Sequence, residues 1–291
     1  MHTLYLTGKP TTLSLGPAGL RIVNGKDTTT TTPPYFPYDT IVLQRADGYL
    51  SLKALRILME QKVSIALLDW HGVLKGQFVP YARRGDGGLW LRQLEAAADP
   101  KRRLAIARVI AQEGYQRKGV TLDASSARTV AELVRMEARA ADAYWLRWAT
   151  HLAERWLRHD FKSRSRPDYP TNLRAVSRVN AVLNYAYSLL EAAARVACHR
   201  VGLHPDVGFL HAPSPHKEPM VYDLQEYGRG WIDEAVLDWL AEPAHQRGYF
   251  RTDGWVYFLS ADLARSLVAA VSPCIDGPRL LRDARKIAER L

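Results

Sequence analysis

Three stretches of the chain set reactive side chains among apolar ones. The first is Gly208-Phe209-Leu210-His211, followed twelve residues on by Asp223 and then Glu226. On a helical turn Asp223 and Glu226, three apart, share a face. An imidazole and two carboxylates near one loop form a donor set for a divalent ion. The oxygen-rich mixture suits Mg²⁺ or Mn²⁺, and Mn²⁺ accepts the nitrogen more readily. The plainer alternative is a polar loop with an Asp cap at a helix start. The second stretch holds Glu137, flanked by Leu133, Val134, Ala140, Ala141, Tyr144 and Trp145 at helical spacing. A carboxylate on such a face needs a partner, because an unpaired buried charge is costly. Arg139 or Arg178 could be that partner, or a metal shared with His211 and Glu226. The third stretch is Asn180 to Leu190, where Asn180, Asn184 and Tyr187 form a polar stripe on an otherwise apolar helix. Core hydrogen bonding would satisfy it.

A fourth segment is basic. Between Arg147 and Arg178 lie Arg155, Arg158, Lys162, Arg164, Arg166 and Arg174, against only Glu154, Asp160 and Asp168. Trp148, Trp156, Phe161 and Tyr169 interleave with them. A loop around Lys162 to Pro170 could follow a phosphate backbone and stack on unpaired bases, or be a solvated face. Arg164, Arg166, Arg174 and Arg178, with Tyr187, are the candidate DNA contacts.

The elements that must position these groups divide the chain. Short apolar strands separated by Gly, Pro and Asn are expected at Leu4–Leu6, Thr12–Leu15, Leu20–Val23 and Ile41–Leu43. Thr28 to Thr32 reads as strand or loop, with Pro33 and Pro34 favouring loop or edge. Ser51 caps a helix carrying Leu52, Leu55, Leu58 and Met59. Val63–Leu68 is a buried strand, paired with Val73–Val79 across a turn at His71-Gly72. Tyr81 to Gly88 is Gly-rich and polar. Beyond it the pattern is helical: Leu89–Ala97, Pro100 to about Lys118, Ser125 to about Arg158, and Asn172–Val201 closed by Gly202. Trp231–Leu240, Ser260–Val271 and Arg279–Leu291 follow. The expected class is α+β: a β-rich domain over 1–80, a linker over 81–88 and a helical catalytic domain over 89–291.

Composition narrows the functions. The 291 residues carry 40 Lys+Arg against 30 Asp+Glu, a formal charge of +10, which favours a polyanionic partner. Two cysteines, Cys198 and Cys274, allow neither a disulfide framework nor a Cys-rich zinc site. They read as a reducing, cytoplasmic setting. The start lacks the pattern of a signal peptide, and no apolar run approaches the ~20 residues of a membrane span. A P-loop, a paired-His zinc helix and a Gly-x-Ser-x-Gly elbow are all missing, which argues against NTPases, metalloproteases of that type and serine hydrolases.

Taken in order, the motifs resemble the CRISPR-associated integrase and endonuclease of spacer acquisition, the Cas protein numbered one. The resemblance runs through Ser51 to Gly76 with its Leu-Asp-Trp-His-Gly turn, Leu91-Arg92-Gln93 before Asp99-Pro100, and the Glu137 helix ending in Tyr144-Trp145. It continues through Asn180 to Leu190, Gly202 to His211, Val221 to Glu226, and Tyr249-Phe250-Arg251. It implies a β-domain followed by a helical domain and a Mg²⁺ or Mn²⁺ held by Glu137, His211 and Glu226, with Asp223 taking a second ion or orienting a water. It implies insertion of spacer DNA into the CRISPR array by attack of a 3′-hydroxyl, as well as DNA cleavage. The alternative is a metal-dependent nuclease acting outside CRISPR adaptation. The implied partners are DNA, a second copy in a homodimer formed through the β-domain, and the small second Cas protein. The chain has Gln225 where the family often has Met, Ala138 where it often has Gly, and Arg178-Val179 where Asp-Pro often precedes the Asn at 180.

Overall fold

A computed structural model describes residues 3–7, 9–31, 36–44, 47–69, 74–80, 88–155, 161, 164, 175–214, 217–246 and 250–291. The chain divides into two compact units, Met1–Arg83 and Arg84–Leu291. The expected 81–88 linker lies almost wholly outside the described residues.

The first unit contains β1 (Thr3–Thr7), β2 (Thr11–Gly16), β3 (Gly19–Asn24), β4 (Asp27–Thr31), β5 (Thr40–Gln44), β6 (Gly48–Leu50), α1 (Leu52–Glu60), β7 (Ser64–Leu68) and β8 (Leu74–Phe78). One sheet has the order β1-β5-β7-β8, the other β4-β3-β2-β6. β1, β5 and β7 run parallel, and every residue of β5 is buried. A central parallel strand is covered on both faces, which is why Ile41-Val42-Leu43 reads as a continuous apolar run. The threonine run forms edge strand β4. β6, not anticipated, pairs parallel with β2. The Ser51 side chain accepts a hydrogen bond from the Ala54 N–H at 3.1 Å and starts α1. Leu13, Leu20, Ile22, Ile41, Leu58 and Ile65 form one core drawn from both sheets and the helix. The β7–β8 turn at His71-Gly72 lies outside the described residues.

The second unit contains α2 (Leu89–Ala98), α3 (Pro100–Arg117), α4 (Val130–Arg155), α5 (Arg178–Val201), α6 (Pro219–Glu226), α7 (Arg229–Ala241), α8 (Pro243–Gln246), β9 (Phe250–Asp253), β10 (Val256–Leu259), α9 (Ala261–Val271) and α10 (Gly277–Ala288). Asp99 caps α3, accepting from the N–H groups of Lys101 (2.8 Å) and Arg102 (3.2 Å), with Pro100 in the first turn. α4 starts at Val130 rather than near Ser125. The Thr129 hydroxyl accepts from the Glu132 N–H at 3.1 Å, and the Glu132 carboxylate reaches back to the Arg128 N–H at 2.7 Å. That capping arrangement sets the helix start, and residues 124–126 form a separate 3₁₀ turn. α5 begins at Arg178, where Ser177 caps it, and ends at Gly202, whose φ of +91° is left-handed. Its residues from Val179 to Cys198 are buried on nearly every face, so α5 is the axis of the unit. The helical domain also holds an unanticipated hairpin, β9–β10, turning at Gly254-Trp255 between the paired Asp253 and Val256. Gly at the first turn position has the positive φ (+59°) that a two-residue hairpin turn uses there.

Candidate active site

The site is assembled where α6 meets the loop before it, the C-terminal end of α3, the middle of α4 and the first residue of α7. Asp223 and Glu226 lie on the buried face of α6 and are fully enclosed. Each oxygen of Asp223 accepts two hydrogen bonds. Oδ2 takes the N–H groups of Phe209 (2.6 Å) and Leu210 (3.2 Å), and Oδ1 takes the N–H of His211 (3.0 Å) and its Nδ1 (2.8 Å). Four donors fill the acceptor sites of a carboxylate. Asp223 is thus engaged on both oxygens within the protein. It folds the 209–211 segment around itself and fixes the His211 ring with Nδ1 toward its own carboxylate, so that Nε2 is the nitrogen turned toward Glu226.

Two small residues permit this packing. A Cβ on Gly208 would stand 2.5 Å from the Pro219 Cβ and 3.1 Å from Asp223 Oδ2, so only glycine lets the loop lie against the start of α6. A Cβ on Gly114 would approach the Glu226 Cβ to 3.0 Å, so α3 passes α6 closely at that carboxylate. Gln93 braces the loop further back. Its amide donates to the carbonyls of Val207 (2.6 Å) and His204 (3.0 Å) and accepts from the His204 N–H (2.7 Å).

His211 Nε2 faces Glu226 Oε1 at 3.9 Å. Glu226 also meets two cations: Arg229 Nη1 stands 2.5 Å from Oε1, and Lys118 Nζ donates to Oε2 at 3.3 Å. Burial alone would raise the Glu226 carboxyl, but Arg229, Lys118 and His211 outweigh it and hold the group down at about 2. Burial likewise opposes the imidazolium of His211; the Asp223 hydrogen bond and charge, then Glu226, reverse that and push its pKa up. Half-buried Glu137 belongs to the same electrostatic cluster. Burial and the Glu226 charge push its carboxyl up to about 7, against the pull of His211, Lys118 and Arg229. Those are the groups acting on Glu137. α4 is pinned here by the Tyr115 hydroxyl, which donates to the Glu137 carbonyl at 2.9 Å.

Among the described residues, no three His, Cys, Asp or Glu side chains are grouped so that they could hold a metal ion in this arrangement. The donor set still fits a hard divalent cation. Glu226 Oε1 is buried and accepts no well-formed hydrogen bond, His211 turns its Nε2 toward that oxygen, and the Glu226 charge raises the cost of ionising Glu137.

A family model described as CRISPR-associated protein Cas1 matches residues 4–124 and 116–272. The chain belongs to the Cas1 family. A CRISPR-associated endonuclease Cas1 of Pyrobaculum aerophilum is 29% identical over 298 residues, covering 94% of each chain. Among solved structures, a casposase bound to integration product has a TM-score of 0.83 at 23% identity, covering all of this chain and 92% of that one. A Cas1 protein from Thermotoga maritima has a TM-score of 0.81 at 18% identity, covering 99% and 96%. The same fold, at TM-scores of 0.69 and 0.74, occurs in a TtCas1–DNA complex and in a Cas6-RT-Cas1–Cas2 complex. In the last of these, this chain spans 34% of the other's length.

Within this Cas1 fold the proposed DNA contacts fare differently from the acid and imidazole groups. Tyr187 is buried at 8% exposure, and its hydroxyl donates to Asp233 Oδ1 at 2.5 Å, so it offers no face to a base. Arg164 donates to Asn184 Oδ1 at 2.9 Å and lies over the rings of Tyr187 (4.9 Å) and Trp145 (5.8 Å). Its guanidinium is committed to the protein, not to phosphate. Trp148 and Phe161 are core residues packed with Trp145 rather than stacking platforms. Arg178 opens α5 half-buried. Arg166 and Arg174, with Lys162, Trp156 and Tyr169, lie outside the described residues. The polar stripe of α5 is used within the core, as Asn184 and Tyr187 show. Gln225 joins it, donating to the Tyr187 carbonyl at 3.2 Å.

Lys118, Arg229 and Asp233 were not picked out from the sequence. Arg229 had a signal, since it follows Glu226 by three residues. Lys118 had none, because α3 meets α6 only in the folded chain. Asp233 accepts from Tyr144 (2.8 Å) as well as from Tyr187, and its burial pushes its carboxyl up.

Proposed function

We propose that this Cas1 is the integrase and metal-dependent DNA endonuclease of spacer acquisition. The observation that carries the reading is the convergence of Glu137, His211 and Glu226, from three separate parts of the chain, on one buried electrostatic cluster. These three would hold a Mg²⁺ or Mn²⁺. When bound, the ion neutralises phosphate charge and aligns the attacking and leaving oxygens. In the transfer, a fragment's 3′-hydroxyl oxygen forms a bond to phosphorus at a repeat boundary as the bond to the leaving 3′-oxygen breaks. The attacking hydroxyl gives up its proton and the leaving oxygen takes one up. With water as the attacking group, the same site cleaves DNA.

The chain's own groups have separate tasks. Asp223 is a positioning residue that holds His211 Nδ1 toward its own carboxylate. Glu137 must lose its proton before it can hold a cation, and a nearby positive charge favours that loss. Lys118 and Arg229 keep Glu226 ionised and give the site a positive field toward a phosphodiester. The net positive charge of the chain suits DNA as the partner. Homodimerisation through the β-rich unit and assembly with the small second Cas protein complete the proposed complex. Its place is the cytoplasm, where the array lies. No helix of the described residues is long and apolar enough to cross a membrane.

The test is a strand-transfer assay on a repeat-bearing plasmid with Mg²⁺ or Mn²⁺. Glu137→Ala and His211→Ala should each abolish transfer while leaving DNA binding largely intact. Transfer at the unaltered rate by either variant would refute the site. Metal-dependent hydrolysis without any transfer would assign the protein to DNA cleavage outside CRISPR adaptation.

A further inference from the structure

Arg229 is unusual among the ion-paired arginines of the described residues, with its side chain only partly buried. Arg117 shows what a structural pair looks like here: its two terminal nitrogens meet both oxygens of Asp283 at 2.7 and 2.9 Å, and its plane lies against Tyr227. Arg229 makes a different kind of contact. One terminal nitrogen stands 2.5 Å from Glu226 Oε1 without a well-formed hydrogen bond, and its buried Nε has no hydrogen-bond partner. The other oxygen of Glu226 belongs to Lys118, whose side chain is 5% exposed. The guanidinium is thus held mainly by charge, with the Tyr187 ring 5.4 Å away as its other support.

The oxygen it occupies matters. Glu226 Oε1 is the atom that faces His211 Nε2 at 3.9 Å, between the imidazole and the Arg229 charge. A divalent cation on that oxygen would stand beside the Arg229 guanidinium, crowding and repelling it at close range. Loss of a single unsupported ionic contact also costs less than dismantling a bidentate pair. We propose that Arg229 is the resident counter-cation of the metal site, and that a divalent ion displaces it from Glu226 Oε1. The proposal rests on the metal-site reading above. On this reading the arginine neutralises Glu226 in the free protein, and metal occupancy frees a guanidinium beside the reacting phosphate.

The experiment is a Mn²⁺ titration of the metal-free full-length protein, without DNA, reading free Mn²⁺ by electron paramagnetic resonance. Arg229→Gln should bind Mn²⁺ more tightly by about tenfold or more, the scale on which groups neighbouring the ligands set metal affinity. Arg229→Lys, which keeps the charge, should stay near the unaltered value. Equal or weaker binding by a cooperatively melting Arg229→Gln protein would overturn the proposal. Glu226→Gln should abolish the site in every background. If it binds Mn²⁺ as the unaltered protein does, the metal-site reading itself fails, which is a separate result. Should Arg229→Gln not fold, nuclear magnetic resonance of the arginine Nε–H groups in the unaltered protein decides. With Arg229 assigned through Arg229→Lys, saturating Mg²⁺ should shift its resonance and leave that of Arg117 in place. An unmoved Arg229 resonance would overturn the proposal.

Discussion

Replacing Asp223 by Asn tests how the site is held together. Asp223 accepts four N–H groups, three from the 209–211 backbone and one from the His211 ring. An amide of the same shape has one oxygen and presents N–H groups on the other side, so two donors lose their acceptor and face like groups. Each buried donor left unsatisfied costs about 1–3 kcal/mol, and charge-assisted bonds lie toward the upper end. Asp223→Asn should therefore cost about 3–5 kcal/mol. In a helical unit of this size that lowers the melting temperature by roughly 6–20 °C. The loss should depend on pH with a definite sign. The folded protein raises the His211 pKa, so the stability from the Asp223–His211 pair is full below the unfolded value of 6.5 and fades as pH rises through the raised folded value. The gap between the two proteins should thus narrow on the alkaline side without closing, because the backbone bonds persist. Melting curves at several pH values measure the gap, and imidazole resonances show whether the His211 pKa falls once Glu226 alone opposes burial and Arg229. A melting temperature within about 2 °C of the unaltered protein, outside that range, or a His211 pKa no lower than in the unaltered protein, would refute the reasoning.

Two further outcomes follow from the same geometry. In the metal-free protein the Glu137 carboxyl is raised from 4.5 to about 7, so its ionisation should destabilise the fold as pH rises from 4.5 to 7. The loss reaches at most about 3 kcal/mol, smaller in proportion to solvent screening; denaturation of Glu137→Gln against the unaltered protein should show the difference, and a pH-independent gap would count against the burial argument. Tyr187→Phe removes a hydroxyl from Asp233, and Arg164→Ala removes a guanidinium bonded to Asn184. Each should lower stability by about 1–3 kcal/mol yet leave the salt dependence of DNA binding unchanged, whereas loss of a true phosphate contact would flatten that slope by about one ion.

Much of the fold can be read from local chemistry. The caps at Ser51 and Asp99 and the stop at Gly202 act within a few residues of themselves, and each appears in the structure where its type and neighbours point, whereas α5 starts at Arg178 behind the Ser177 cap and not at the expected Asn172. The misplaced start of α4 was also local: Thr129 and Glu132 carry the capping pattern that sets Val130 as the first helical residue. The hairpin turn at Gly254-Trp255 carries a local signal too, a glycine at its first position.

The site was legible only in part, and the division has a physical cause. Sequence periodicity shows which face of a helix is apolar, so Glu137 among Leu133, Ala140, Ala141 and Tyr144 already demanded a charged neighbour. It does not show what lies across that face. That Lys118 and Arg229, rather than Arg139, act on the acidic pair depends on α3 passing α6 at Gly114 and on α7 starting just beyond Glu226. A run of arginines and aromatics likewise has no direction until packed. Arg164 and Tyr187 turn inward to Asn184 and Asp233, because buried polar groups take whichever partner the tertiary contacts bring within reach.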